Sequence, residues 1–168
     1  MKVRIYLEGG GDAGSTKAAC REGFRSFFQN LGSLEQNPTV IASGGRLKAF
    51  HNFRDALVRN TDEVVLLLVD AERPVREGVW AHLGAVPDGW QKPNTATDEQ
   101  AHLMVQSMEA WFFADKEALA KYYGRGFRVK SLPSRQDIEA IPKAALVPAL
   151  KRASRDTTID NCIKNAII

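Results

Sequence analysis

Val64-Val65-Leu66-Leu67-Leu68-Val69, followed at once by Asp70-Ala71-Glu72, decides how the rest of the chain is read. The apolar run has no polar side and is too short for a free-standing helix, so it predicts a central parallel strand buried on both faces. Working outward, the first residues alternate Val3, Ile5 and Leu7 and stop at Glu8 and a glycine cluster, which predicts a first strand. Residues 38–42 and 102–108 read as a second and a fourth strand. Cys20, Phe24, Phe27, Phe28 and Leu31 mark a four-turn helix, with Asp12 or Ser15 as its cap and Gly32 closing it. Leu47, Phe50, Phe53 and Leu57 mark a second helix that Asn60-Thr61-Asp62 ends. Residues 74–85 predict a third, and the segment through Trp111, Phe112, Leu119, Tyr122 and Tyr123, ended by Gly124, a fourth. The loop over 87–98 is longer than most connectors, and long loops beside a sheet often carry function.

This alternation forces parallel strands joined by right-handed crossovers. The expected fold is an α/β three-layer sandwich with a mostly parallel four-stranded sheet whose ligands bind at the strands' carboxyl ends. Residues 1–133 form that α/β domain. Residues 134–168 form a helical C-terminal extension packed on it, with Pro142 starting a helix, Pro148 kinking it, and Ile159, Cys162, Ile163, Ala166 and Ile167 as a final apolar stripe.

With 168 residues, 44% of them hydrophobic and 26% charged, the chain is expected to be a single globule able to bury a core without disulfides or a structural metal. Its net charge of +3 permits a polyanionic partner without demanding one. The N-terminus lacks the apolar core of a secretion signal, and no run approaches the length of a membrane span. Cys20 and Cys162 match no metal spacing and read as reduced thiols. A cytoplasmic protein with no membrane attachment is expected. His51, His82 and His102 lack the spacing of a zinc site, and neither a Gly-x-Ser-x-Gly elbow nor a P-loop is present.

Chemistry concentrates at the predicted strand ends. Glu8 ends the first strand and Asp70 the third, with Glu72 two positions on. If the extended conformation continues, the Asp-x-Glu spacing puts both acids on one side. Neighbouring strands lie about 4.8 Å apart, so three carboxylates there would repel one another unless a cation intervened. Oxygen-only ligands suit Mg²⁺ or Mn²⁺. Gly9 to Gly14 also fits G-x-G-x-x-G, but the second strand ends in Ala42-Ser43-Gly44 without the ribose-binding acid, and Glu8 would repel a pyrophosphate. Arg46 and Arg73 are candidate guanidinium forks for a phosphate. Between Lys121 and Arg135 there is no acid, while Arg125, Arg128 and Lys130 interleave with Tyr122, Tyr123 and Phe127, a mixture suited to nucleic acid.

Leu7-Glu8-Gly9 and Leu68-Val69-Asp70-Ala71-Glu72 resemble the Toprim pattern of a glutamate in the first turn and a later acidic pair. More closely, Glu8-Gly9-Gly10-Gly11-Asp12, Ser43-Gly44-Gly45-Arg46 and the run from Gln106 through Glu109 to Asp115 resemble a Toprim-related family, domain of unknown function 4276. The likeness runs from Met1 to about Ser154. It implies a Mg²⁺-dependent nuclease acting on nucleic acid, DNA ahead of RNA, in bacterial defence against phage, with an ATPase partner or as a homodimer. Asp70, Glu72 and Asp12 would hold the metal, Glu8 would ligate it or act as general acid/base toward the attacking and leaving oxygens, Arg46 would steady the phosphate, and Glu8, Asp70, Glu72 and Arg46 together would make the catalytic set. Arg73, Arg125, Arg128 and Lys130 would touch nucleic acid, and Glu109 and Asp115 would either extend the acidic site or cap a helix. The alternative is a non-catalytic Toprim-like subunit that senses nucleic acid or a nucleotide. Glu72 stands where the Toprim pattern has its second aspartate.

Overall fold

The computed structural model describes residues 2–32, 36–59, 62–85 and 88–158. The expected stripe from Ile159 to Ile167, Cys162 within it, and Asn60-Thr61 lie outside these residues. The strands are β1 (Lys2–Leu7), β2 (Thr39–Ala42), β3 (Glu63–Asp70) and β4 (Ala101–Met104), and the helices α1 (Gly14–Asn30), α2 (Arg46–Arg59), α3 (Val79–Ala85), α4 (Lys116–Tyr123) and α5 (Lys143–Ala153). Within the described residues two compact units form. The first takes in the chain up to Val69 together with Arg76–Leu103, and the second takes in Asp70–Val75 and the chain from Met104 on.

The sheet has the order β2-β1-β3-β4 and is all-parallel, as expected. β1 is the hub: Leu7 pairs with Ala42 of β2 and with Leu68 of β3. Because β2 lies on one side of β1 while β3 and β4 lie on the other, the direction of sheet growth reverses at β1. The carboxyl ends of β1 and β3 therefore form a topological switch point, where parallel α/β sheets open a crevice.

In the first unit, Val65, Leu67 and Val69 point into a core with Ala49, Phe50 and Phe53 of α2, Leu83 of α3 and Trp90. The other face of β3, made of Val64, Leu66 and Leu68, is half-buried rather than fully covered as the unbroken apolar run suggested. Only Cys20 and Phe24 of the α1 stripe are buried, whereas Phe27 and Leu31 remain 47% and 50% exposed. The cap of α1 also differs: Ala13 stands at the N-cap with no side-chain bond, and the Thr16 hydroxyl lies where it donates to the carbonyl of Gly10 or of Ala13. The third helix starts at Val79 rather than at 74; Gly78, which would lie inside the longer helix, costs a helix interior about 1 kcal/mol and stands just before the shorter one.

The second unit has its own core. Ala110 and Phe113 meet Leu119 and Tyr123 of α4, Leu132, Ile141, and Leu146, Ala149, Leu150 and Ala153 of α5, so this core unites residues on both sides of position 133. The single helix expected after β4 is broken: Met108–Phe113 is 3₁₀, and α4 restarts where Asp115 accepts a bond from the Ala118 N–H at 2.8 Å. Asp115 is thus a cap. β4 ends at Met104 rather than near 108 because the chain after it turns to serve the acids described below. α5 runs through Pro148 without a break; the carbonyl that this proline leaves without a donor belongs to Ala144, on the helix's exposed side, where water can serve it.

The turn after β2 is the tightest backbone contact at this end of the sheet. Gly9 and Gly44 exchange backbone hydrogen bonds of 2.9 and 3.0 Å, and a Cβ on Gly44, whose φ is +81°, would lie 2.7 Å from the Gly11 carbonyl oxygen. Gly44→Ala should therefore lower stability by about 2 kcal/mol or more. Gly45→Ser, with open space at its Cβ, should leave the urea midpoint unchanged or raise it through an N-cap for α2. Equal midpoints for the two variants would refute the steric argument.

Candidate metal centre

Glu8 leaves β1 with its N–H donated to the Leu68 carbonyl of β3 at 2.9 Å, so the sheet register itself fixes its backbone. Its side chain is fixed by Arg46, the first residue of α2, whose Nη1 lies 3.3 Å from Glu8 Oε2. Arg46 is in turn oriented by Asp88, 2.6 Å from its Nε, and by the ring of Trp90, 4.8 Å beneath its guanidinium. Phe50 stacks on Trp90 at 4.4 Å and holds the indole in place. Arg46, expected on a phosphate, is here placed on Glu8. Asp88 and Trp90 come from the long loop that the sequence singled out without naming them.

Asp70 and Glu72 are fixed by a different set of residues. Asp70 is the last residue of β3, 9% exposed, and its Oδ1 accepts the Met108 N–H at 2.9 Å. Glu72 is not in extended backbone: its φ is +66°, the only positive value among described non-glycine residues. Its N–H donates to the Gln106 carbonyl at 2.8 Å, as that of Ala71 does to Met104 at 2.9 Å. The two acids therefore converge through a strained turn rather than through strand alternation, and strain of this kind collects at functional sites. Lys143 reaches both, its Nζ 3.0 Å from Asp70 Oδ2 and 2.6 Å from Glu72 Oε1. Gln106 positions that lysine, accepting the Lys143 N–H at 3.2 Å and donating its amide to the Glu139 carbonyl at 3.2 Å. Glu109, also buried, accepts from the Ser107 hydroxyl at 2.5 Å.

Glu8, Asp70 and Glu72 each offer a carboxylate oxygen, and these oxygens lie within 4.8 Å of one another. Three hard oxygen donors at that separation fit a divalent cation. The ammonium already bonded to two of them shows that the position favours positive charge. Asp12, expected among the ligands, is exposed and stands outside the group. Burial pushes the Asp70 carboxyl up to about 6, against the lowering pull of Lys143 and of the Met108 N–H, with Glu109 adding to the rise. For Lys143, burial works against the charge, but its bonds to Glu72 and Asp70 outweigh this and hold the ammonium above its ordinary range.

Of the expected nucleic-acid residues, Arg73 is half-buried directly after Glu72, while Arg125, Arg128 and Lys130 are exposed on the second unit. Arg128 is paired with Asp156. Lys143, Gln106 and Asp88 were not found from the sequence. Gln106 lies in a quoted motif, but nothing in the local pattern around Pro142-Lys143 signals an ion pair more than seventy positions away.

The sequence model of a family described as "Domain of unknown function (DUF4276)" matches residues 7–164. No curated protein and no solved structure matches the chain. Among the described residues no helix is long and apolar enough to cross a membrane.

Asp70 gives a pH signature. The folded state takes up its proton near pH 6 and the unfolded chain near ~4. Between these values the folded state binds more protons, so Asp70's contribution to stability falls as pH rises through that window, by up to about 3 kcal/mol. Urea midpoints from pH 4.5 to 7.5 should fall less steeply for Asp70→Asn than for wild type. Lys143→Met should be destabilised by about 1 kcal/mol at pH 7.5, because two carboxylates lose a partly exposed counter-charge; parallel pH profiles for all three proteins would refute both assignments.

Proposed function

The chain belongs to the DUF4276 family, whose function is unknown, and we propose that it is a Mg²⁺- or Mn²⁺-dependent phosphodiester hydrolase acting on nucleic acid. The observation that carries this reading is the grouping of Glu8, Asp70 and Glu72 at the carboxyl ends of β1 and β3. An all-parallel sheet with one acid after its first strand and an Asp-x-Glu after its third also supports the likeness to Toprim nucleases. A divalent cation held by these acids would supply Lewis-acid charge and a more acidic bound water.

The chain's own residues account for the rest. Arg46 aims the Glu8 carboxylate by a charge-assisted bond. Asp70 is anchored through Oδ1 by the Met108 N–H and would be one of the residues that hold the cation. Lys143, released from the acids by an incoming cation, would pair with a phosphate oxygen. On this reading the substrate is DNA ahead of RNA, and the protein acts in bacterial defence with an ATPase partner or as a homodimer, a role that rests on the Toprim-related resemblance alone.

One observation favours a second reading. Lys143 already bonds both Asp70 and Glu72, which is the arrangement of a neutralised site that senses nucleic acid or a nucleotide without turnover.

Calorimetric titration with Mn²⁺ and Mg²⁺ separates the two. Wild type should bind Mn²⁺, Asp70→Asn should not, and Lys143→Met should bind more tightly because the competing ammonium is gone. Supercoiled plasmid should then be nicked by wild type and at least about 100-fold more slowly by Glu8→Gln and Asp70→Asn. Metal binding without nicking assigns the sensing role, and no metal binding by wild type overturns the hydrolase.

A further inference from the structure

α5 has two chemically different ends. Its first residue, Lys143, lies on Asp70 and Glu72, whereas its last turn and the residues after it expose Lys151, Arg152 and Arg155. The loop after α4 is fastened to that second end: the Arg128 N–H donates to the Ala153 carbonyl at 2.9 Å, and Gly126 packs so closely that a Cβ would clash with the Asp156 carbonyl oxygen. This brings exposed Arg125 to the same end of the helix. Tyr122, 52% exposed, stands edge-on to Tyr123, which stacks on Phe127 in the same loop. No acid lies between positions 118 and 136, and the one between 143 and 158, Asp156, is occupied by Arg128. One last-turn cation would satisfy the helix dipole; four exposed cations from two segments, beside an exposed ring, exceed that need.

We propose that this end of the second unit, Tyr122, Arg125, Lys151, Arg152 and Arg155, is a docking surface for single-stranded nucleic acid that feeds the strand along α5 to the acids. The inference rests on the nucleic-acid part of the reading above and names where the substrate is held. Between Lys143 and Arg152 the exposed positions on α5 are Ala144, Pro148 and Lys151, so the small side chains let a backbone approach and the cations begin where it would be gripped. Nine residues of helix span roughly 14 Å. Stacking on Tyr122 selects unpaired bases, because paired ones hide their faces.

The test is fluorescence anisotropy with a labelled mixed-sequence 20-nucleotide single strand, in EDTA, over a series of salt concentrations. Wild type should bind with a steep salt dependence. The triple variant Lys151→Ser, Arg152→Ser, Arg155→Ser should bind at least about ten-fold more weakly, its log–log salt slope reduced by about 2. Tyr122→Ala should lose about five-fold or more with the slope unchanged. Arg155→Ser alone, at the exposed end of the chain's basic run, should move in the same direction and serves if the triple variant does not fold. Unchanged binding by folded variants, tighter binding to the matching duplex, or displacement of the probe by polyaspartate at equal charge each overturn the proposal. Mn²⁺ calorimetry on the triple variant should match wild type. Oligonucleotide binding that persists in EDTA when wild type binds no metal would leave this surface standing while the hydrolase reading fell.

Discussion

Three carboxylates within a few ångströms are unstable company, and the arrangement of this protein around its strand ends follows from having to hold them there. The switch-point topology brings the ends of β1 and β3 side by side, and each acid is then secured by partners of its own. Arg46 meets Glu8 with Asp88 and Trp90 behind it; Lys143 meets Asp70 and Glu72 with Gln106 behind it. In each case a cation balances the acid, and a polar side chain that does not touch the acid keeps that cation in place. The same pattern supports metal ligands elsewhere, where outer residues fix the orientation of inner ones.

The parts of this design carried by local pattern were legible in the sequence. The apolar run of β3, the alternation in β1 and the glycines after it placed Glu8 and Asp70 at neighbouring strand ends without any structural help. Glu72 was found for a partly wrong reason: spacing suggested an extended pair, whereas a left-handed backbone turns it back toward Asp70. Periodicity also overstated the α1 interface, because a helix resting on a short strand need bury only two of its apolar residues. Lys143 and Asp88 were illegible because an ion pair across dozens of residues leaves no mark on either neighbourhood. The Gln106-to-Asp115 run was recognisable as a motif, but its division of labour was not. It offers one backbone N–H to Asp70, one side-chain amide to the lysine segment and one carboxylate to a helix start.

The price of this architecture is a buried acid that folding alone would prefer to discharge. Asp70 sits where burial opposes its charge, and Glu72 is held in a conformation that costs about 1 kcal/mol or more for a residue with a side chain. Neither is explained by packing, since Val69 and Ala71 beside them are ordinary buried apolar residues. Cost concentrated at a few polar positions next to an otherwise conventional core is what a site under functional demand looks like.

Trp90 turns part of this arrangement into an optical reporter. Its indole is 5% exposed, stacked against Phe50 and covered by the Arg46 guanidinium. Its emission is therefore that of an indole shielded from water, and its quantum yield depends on where that guanidinium rests. Anything that draws Glu8 away from Arg46 changes the electrostatic field across the ring, so with Trp80 and Trp111 replaced by phenylalanine the state of the first acid can be followed by light alone.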